Sequence, residues 1–90
     1  MSGTVIYSSS ICGNEMRTHT ISLKNLMDAL TRRETKLVYI DKDQDAKAFV
    51  FSKTTLRGVF PLLFHNDEFI GTYEEVIDLS EAGLLMEKLN

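Results

Sequence analysis

Cys12, the single cysteine of this 90-residue chain, is the residue best suited to covalent chemistry. It lies five residues after Tyr7, between an apolar run typical of a strand and a segment with helical periodicity. The free backbone amides of a helix N-terminus stabilise a thiolate and lower the pKa of the thiol. A reactive thiol is therefore one interpretation, and a structural cysteine is the other. Glu15 favours the second, because a nearby carboxylate opposes thiolate formation.

The remaining titratable residues do not have the spacing of a metal site. His19 and His65 have no cysteine, acid or second histidine at ligand spacing, so no metal is predicted. Asp41, Asp43 and Asp45 alternate as in part of a calcium loop, but the glycine and the distal glutamate of such a loop are missing. We interpret them as a solvated strand end and a helix N-cap.

Length and composition indicate one globular domain over residues 1–90. The hydrophobic fraction of 43% and the charged fraction of 26% are ordinary for a soluble protein, and no apolar stretch is long enough to cross a bilayer. The net charge of −3, without a basic stripe, argues against nucleic acid as a partner. A lone cysteine and the lack of a secretory signal favour a reducing compartment, so a cytoplasmic location is expected.

Hydrophobic periodicity predicts the element order β-α-β-α-β-β-α. The predicted elements are a strand at Thr4–Tyr7, a helix from about Glu15 to Thr31, a strand at Leu37–Ile40, a helix from Asp45 to about Ser52, a hairpin, and helical turns at Thr72–Leu79 and Ser80–Leu89. The second strand has the continuous apolar run of a strand buried on both faces. Because strand–helix–strand crossovers are right-handed, we expect the first strand between the second strand and the hairpin.

The hairpin and the helix after it have the clearest local signals. Pro61, the only proline, opens the apolar run Phe60–Phe64; it lacks an N–H and belongs at the start of a strand or at an edge. The turn-forming residues His65–Asp67 separate this run from Glu68–Gly71. Thr72–Glu75 has the spacing of a capping box. The predicted core is Val5, Tyr7, Leu26, Leu30, Val38, Ile40, Leu62, Phe64 and Ile77.

This order of elements, with the proline, turn and capping residues between them, resembles that of the glutaredoxins, and especially the SH3-domain-binding glutamate-rich-like branch of that group. The resemblance spans nearly the whole chain and is strongest from Phe60 to Leu89. It implies an α/β thioredoxin-like fold with three layers, in which helices cover both faces of a four-stranded mixed sheet. Cys12-Gly13-Asn14-Glu15 partly matches the family's one-cysteine motif Cys-Gly-Phe-Ser, and Pro61 falls where the family has a cis-proline facing that cysteine.

The resemblance also implies a groove that binds an extended peptide or glutathione. Its residues are Gly13, Asn14, Phe60, Pro61, Gly71, Thr72 and Glu74. In the family, the loop corresponding to Gly71–Glu75 holds a glutathione carboxylate. Glu74 would hold the glutathione amino group.

Departures from the family pattern favour a protein without catalysis. A second cysteine is missing, serines Ser8 to Ser10 replace the lysine that precedes the family's cysteine, and Tyr73 is bulky where the family has a small residue. The preferred function is a non-catalytic adaptor, expected to be a monomer without a cofactor or membrane association, whose protein partner the sequence does not identify. The alternative is a one-cysteine oxidoreductase for thiols and disulfides, with Cys12 as catalytic nucleophile and glutathione as ligand.

Overall fold

The computed structural model describes residues 3–11, 13–32, 34–55 and 59–89. The elements follow the predicted order, with a single 3₁₀ turn added at Ile40–Lys42. They are β1 (Thr4–Ser8), α1 (Asn14–Thr31), β2 (Lys36–Tyr39), α2 (Gln44–Lys53), β3 (Leu62–His65), β4 (Glu68–Thr72), α3 (Tyr73–Glu81) and α4 (Leu85–Lys88). None of the described helices is both long enough and apolar enough to span a membrane.

The four strands form one mixed sheet in the order β2-β1-β3-β4. β1 runs parallel to β2, with Val5 opposite Lys36, and antiparallel to β3, with Val5 opposite Phe64. β3 and β4 form the antiparallel hairpin, which contains an irregularity between Leu63 and Phe64. The predicted place of the first strand, between the second strand and the hairpin, is confirmed.

The prediction that the second strand is buried on both faces is wrong. β2 is an edge strand, in which Leu37 and Val38 are half-buried and Lys36 and Tyr39 are exposed. The apolar run is explained by Ile40, which has left the strand for the 3₁₀ turn and is buried there. The apolar run Leu37–Ile40 therefore consists of three residues of an edge strand and one core residue that belongs to the following 3₁₀ turn.

Helices on both faces of the sheet create two cores. One core, on the side of α1, α3 and α4, includes Ile6, Leu63 and Val76, and the other, on the side of α2, includes Leu62 and Phe64. Every residue of the predicted core is buried or half-buried. That prediction omitted the fully buried strand residues Ile6 and Leu63, because alternation along a strand does not show which face is covered when both are. It also omitted Val76, the buried residue of α3.

Two predicted boundaries need correction. The hairpin turn contains two residues, since His65 pairs with Glu68 and both Asn66 and Asp67 have positive φ angles of 51° and 67°. This is the conformation of a type I′ turn, whose twist matches that of the flanking strands. Ser80 does not open a new helix: α3 continues to Glu81.

The end of α3 is a Schellman motif around Gly83. Gly83 has a φ of 75°, and its N–H donates to the carbonyl of Ser80 at 3.1 Å. The N–H of Leu84 donates to the carbonyl of Leu79 at 2.8 Å. Glycine adopts this left-handed conformation without the steric cost that a Cβ brings, so the helix ends here and α4 begins at Leu85.

Candidate functional site

A groove lies where α1 begins, beside the segment that leads into β3 and the junction of β4 with α3. Its volume is about 440 Å³, and we call it the α1–α3 groove. It is lined by Gly13, Glu15, Met16, His19, Val59, Phe60, Thr72, Tyr73 and Glu74. A larger cavity of about 840 Å³ lies at the opposite end of the sheet, and none of the predicted site residues line it.

The fold brings four of the predicted groove residues together in this lining: Gly13, Phe60, Thr72 and Glu74. Pro61 and Gly71 are buried next to Phe60 and Thr72, and Asn14, the exposed first residue of α1, is not part of the lining. Cys12 lies outside the described residues. The role of these residues in binding stays a prediction.

The segment before β3 has the backbone geometry that the resemblance implied. The Phe60–Pro61 peptide bond is cis, Pro61 is buried, and β3 begins at the next residue. Phe60 is half-buried and packs against the core on the α2 side. Val59, which sequence analysis did not single out, is 38% exposed and adds an apolar side chain to the groove.

The junction between β4 and α3 is closed by the predicted capping box. The Thr72 N–H donates to Oε1 of Glu75 at 3.1 Å, and the Thr72 hydroxyl donates to the same oxygen at 3.2 Å. A Cβ at position 71 would lie 3.0 Å from the Cβ of Glu75, so glycine permits this close approach. In the family, this loop binds a carboxylate of glutathione. Here the Thr72 N–H of the loop already donates to the Glu75 carboxylate.

One wall of the groove is a stacked pair of rings that the sequence did not predict. The rings of His19 and Tyr73 are parallel within 3°, with centroids 4.0 Å apart. The pair joins α1 to the first residue of α3. Because the two residues are 54 positions apart in the chain, local spacing carries no signal for their contact.

The charges that line the groove are negative. Glu15 and Glu74 both contribute to the lining, and it includes no lysine or arginine from the part of the chain that the structure describes. Carboxylates in a cleft raise the local concentration of cations and repel anions. This electrostatic character suits a ligand with cationic groups.

A pair of hydrogen bonds anchors the loop between β1 and α1. The Ser10 N–H donates to Oδ1 of Asp41 at 2.9 Å, and the Ser10 hydroxyl donates to Oδ2 of the same carboxylate. The bond from the Ser10 hydroxyl, and to a lesser extent the bond from its N–H, hold the pKa of Asp41 below its usual value. Asp43 is the N-cap of α2 and accepts from the Ala46 N–H at 3.0 Å, which is the capping role expected within this group of aspartates. Asp41 therefore anchors the loop from a position in the 3₁₀ turn, and the interpretation of it as a strand end is wrong.

The described residues contain no group of three or more histidine, cysteine, aspartate or glutamate side chains that could hold a metal ion.

No protein-family model matches the chain, and no curated protein matches its sequence. Solved structures do match. Actin interacting protein Aip5 of C. albicans is 19% identical with a TM-score of 0.81, over 98% of this chain and 88% of that chain. A buckwheat glutaredoxin–glutathione complex is 25% identical with a TM-score of 0.70, over 98% and 76%. The dithiolic glutaredoxin 2-C-Grx1 of Trypanosoma brucei brucei is 18% identical with a TM-score of 0.69, over 99% and 88%.

These similarities, together with the strand order, show a glutaredoxin-like thioredoxin fold. The narrower resemblance to the SH3-domain-binding glutamate-rich-like branch stays a prediction.

Proposed function

We propose that this glutaredoxin-like domain is a non-catalytic interaction protein whose α1–α3 groove binds an extended peptide with cationic and apolar side chains. The main support is the occupied amide: the Thr72 N–H already donates to Glu75. A second carboxylate, from glutathione, would have to displace Glu75 and break the capping box. A peptide that does not rely on this amide avoids that cost.

The charge and shape of the groove support the same ligand class. Glutathione has two carboxylates and one ammonium group, so its net negative charge is repelled by Glu15 and Glu74. A lysine or arginine side chain is attracted by the same carboxylates. Val59, Phe60 and the face of the His19–Tyr73 stack offer apolar contact beside them.

The structural neighbours include one named for a protein interaction and others named for redox chemistry. Aip5 is named for an interaction with actin, and the glutaredoxins are named for redox chemistry. At 19% identity the similarity to Aip5 concerns the fold, so we do not transfer its partner to this chain.

Amide NMR titrations test the proposal with defined probes. Short extended peptides that alternate lysine or arginine with apolar residues are expected to shift the amides of Thr72, Tyr73 and Glu74, whereas glutathione is not. Glu74→Lys is expected to weaken peptide binding, and Glu81→Lys, an equal change at the other end of α3 and outside the groove, is not. Glutathione shifts at Thr72 without peptide shifts would contradict the proposal.

Affinity capture then identifies the protein partner. The intact protein and a Phe60→Asp variant, which places a charge in the groove, are compared after thermal denaturation has shown that both are folded. Partners bound through the groove are lost from the variant. A Met86→Asp variant changes an exposed apolar residue on α4 and is expected to retain them.

The alternative function is a one-cysteine oxidoreductase that uses glutathione. It is favoured by the start of α1 at Asn14, which places a helix N-terminus directly after position 12. The Cys12 thiolate would attack the glutathione sulfur of a protein–glutathione mixed disulfide, and the protein thiolate would leave. A second glutathione thiolate would then attack that sulfur, releasing Cys12 and forming glutathione disulfide. Glu74 lies in the groove, where it would hold the glutathione amino group.

The pH dependence of the alkylation rate separates the two functions, because it reports the pKa of Cys12. A pKa below neutral, with glutathione shifts at Gly71 and Thr72, would support the oxidoreductase. We expect a pKa near the unperturbed value of about 8.5 and no glutathione shifts, as for a thiol without thiolate stabilisation. Glu15→Gln is the matched variant, since it removes the nearby carboxylate.

A further inference from the structure

A second pocket, of about 320 Å³, lies between α1, the end of β1 and the 3₁₀ turn after β2. It shares no lining residue with the α1–α3 groove. The helix separates the two sites: Met16 and His19 line the groove, whereas Arg17, Thr20 and Ile21 line the pocket. The two sites can therefore be altered independently.

Hydroxyl groups of low exposure line one side of this pocket. Thr20 donates its hydroxyl proton to the carbonyl of Met16 at 2.7 Å, so Ser8 is the donor in the 2.9 Å contact between the Ser8 and Thr20 hydroxyls. Ser9 is 8% exposed, and its Oγ accepts from the Ile11 N–H at 3.3 Å. Among the described residues nothing accepts the Ser9 hydroxyl proton. With respect to the described part of the chain, this O–H is therefore available to a ligand.

Two cationic side chains, Arg17 and Lys42, also line the pocket. Neither is within ion-pair distance of an acid in the described ranges, where the only ion pair joins Lys24 to Asp28. Asp41, the adjacent acid, does not line the pocket, and both of its oxygens accept hydrogen bonds from Ser10. The ligand-accessible charge is therefore positive.

Apolar surface completes the pocket. Ile21 is 54% exposed and Tyr39 is 40% exposed, and both contribute to its lining. An inorganic anion would pair with the cations but would leave Ile21 and Tyr39 exposed to water. A ligand with an anionic head and an apolar body would use both parts.

We propose that this pocket binds a phosphate monoester with an aromatic or apolar body. The phosphate has the charge and acceptor oxygens for Arg17, Lys42 and the Ser9 hydroxyl, and arginine pairs with it through two parallel hydrogen bonds. The organic group packs on Ile21 and Tyr39. Phosphate monoesters of this kind occur as free small molecules and as phosphorylated side chains, which share this chemistry.

Amide NMR titrations of the full chain with phenyl phosphate, inorganic phosphate and phenol test the assignment. Phenyl phosphate is expected to give saturable shifts at Ser9, Arg17 and Ile21, and to bind more tightly than either of the other two. Binding of inorganic phosphate as tight as that of phenyl phosphate would contradict a role for the apolar surface. An absence of saturable shifts would contradict the site.

Matched variants test the cations. Arg17→Gln is expected to weaken phenyl phosphate binding roughly tenfold or more, the loss expected for a hydrogen bond to a charged group. Arg32→Gln removes the same charge just beyond the other end of α1 and is expected to leave binding unchanged. Equal losses in both variants would overturn the proposal, because they would show attraction by net charge alone. Glu74→Lys, which alters the groove, is expected to leave the affinity for phenyl phosphate within a factor of about three.

A phosphotyrosyl peptide distinguishes the two sources. Binding at least as tight as that of phenyl phosphate, and equally sensitive to Arg17→Gln, supports a phosphorylated side chain as the ligand. Weaker binding of the peptide, with phenyl phosphate still bound, supports a free small molecule.

Discussion

Asp28 connects the end of α1 to the segment before β2 through one carboxylate. Its Oδ1 accepts from the N–H of Thr35 at 2.6 Å, and its Oδ2 pairs with the Lys24 ammonium at 2.9 Å. Thr35 is buried, so its N–H needs a partner within the protein. The hydrogen bond from Lys24 makes the larger contribution and the bond from the Thr35 N–H the next largest, and together they hold the pKa of Asp28 below its usual value.

Replacing Asp28 with asparagine is expected to lower the free energy of unfolding at neutral pH. The pKa of Asp28 is lower in the folded chain than the unfolded value of about 3.9, so the ionised carboxylate stabilises the fold above that pH. This contribution is lost as pH falls through the folded pKa, and the difference between wild type and variant shrinks. Urea unfolding at neutral pH and at about pH 3 measures it. Asp78→Asn, on the exposed part of α3, serves as the control, and equal pH profiles for wild type and Asp28→Asn would contradict the prediction.

The contact between His19 and Tyr73 is expected to contribute to stability beyond simple burial. Stacked aromatic pairs give coupling energies of about 0.5–1.5 kcal/mol in double-mutant cycles. A cycle with His19→Ala and Tyr73→Ala, followed by urea unfolding, is expected to give a value in this range. A cycle of His19→Ala with Tyr39→Ala, whose ring is on β2, is expected to give none. Additive effects for the stacked pair would show that the rings are adjacent without mutual stabilisation.

At the scale of elements, α3 has a specific signal at each end. The capping box satisfies the Thr72 N–H at its start, and the Schellman motif around Gly83 satisfies carbonyl groups at its end. The start of α3 also forms part of the α1–α3 groove, through Thr72, Tyr73 and Glu74. Helix capping and the shape of the groove are therefore linked.

Glu75→Ala is expected to destabilise the protein by about 1 kcal/mol, the usual cost of losing an N-terminal capping interaction. Thermal or urea unfolding measures the change. Glu81→Ala is the matched control: it removes a carboxylate from the last turn of the same helix, where the helix dipole disfavours negative charge, so no loss is expected. Equal destabilisation by both substitutions would contradict a role for the capping box.

At the scale of the whole molecule, the core on the side of α1 is expected to contribute a large part of the stability. Leu23→Ala removes a fully buried side chain and should cost about 2–5 kcal/mol, a large part of the roughly 5–15 kcal/mol typical of a small domain. Ile21→Ala, two residues away on the same helix and 54% exposed, should change stability by less than about 0.5 kcal/mol. Urea unfolding measures both. Similar losses for both variants would show that this face of α1 is not packed as described.

The element order of this fold was predictable because its signals are local. Pro61, the turn residues and the capping box are local features of the sequence, and they correctly predict that a hairpin is present and that α3 starts after Thr72. The burial of β2 was not predictable, since the apolar run Leu37–Ile40 does not show that the chain leaves the strand before its last residue. The end of α3 was also misplaced: Ser80 has the chemistry of a cap, but the left-handed residue that ends the helix is Gly83.

The family resemblance supplied the candidate residues of the groove, and their role in binding stays a prediction. Gly13, Phe60, Thr72 and Glu74 line the α1–α3 groove, whereas Asn14, Pro61 and Gly71 are not part of its lining. The contact of His19 with Tyr73 and the use of the Thr72 amide by Glu75 depend on side-chain positions in three dimensions. Neither follows from spacing, and both bear directly on which ligands fit.

The central place of β1 in the sheet means that this strand is synthesised long before its partner β3. Val5 pairs with Phe64, so translation at 5–20 residues per second separates the two strands by roughly 3–12 s. Until Leu62 has been made, β1 has an open edge, and the side chains of Ile6 and Tyr7 lack the cores that cover them. Nascent chains that stop before β3 therefore expose an unpaired strand edge and apolar side chains, the two features that promote aggregation.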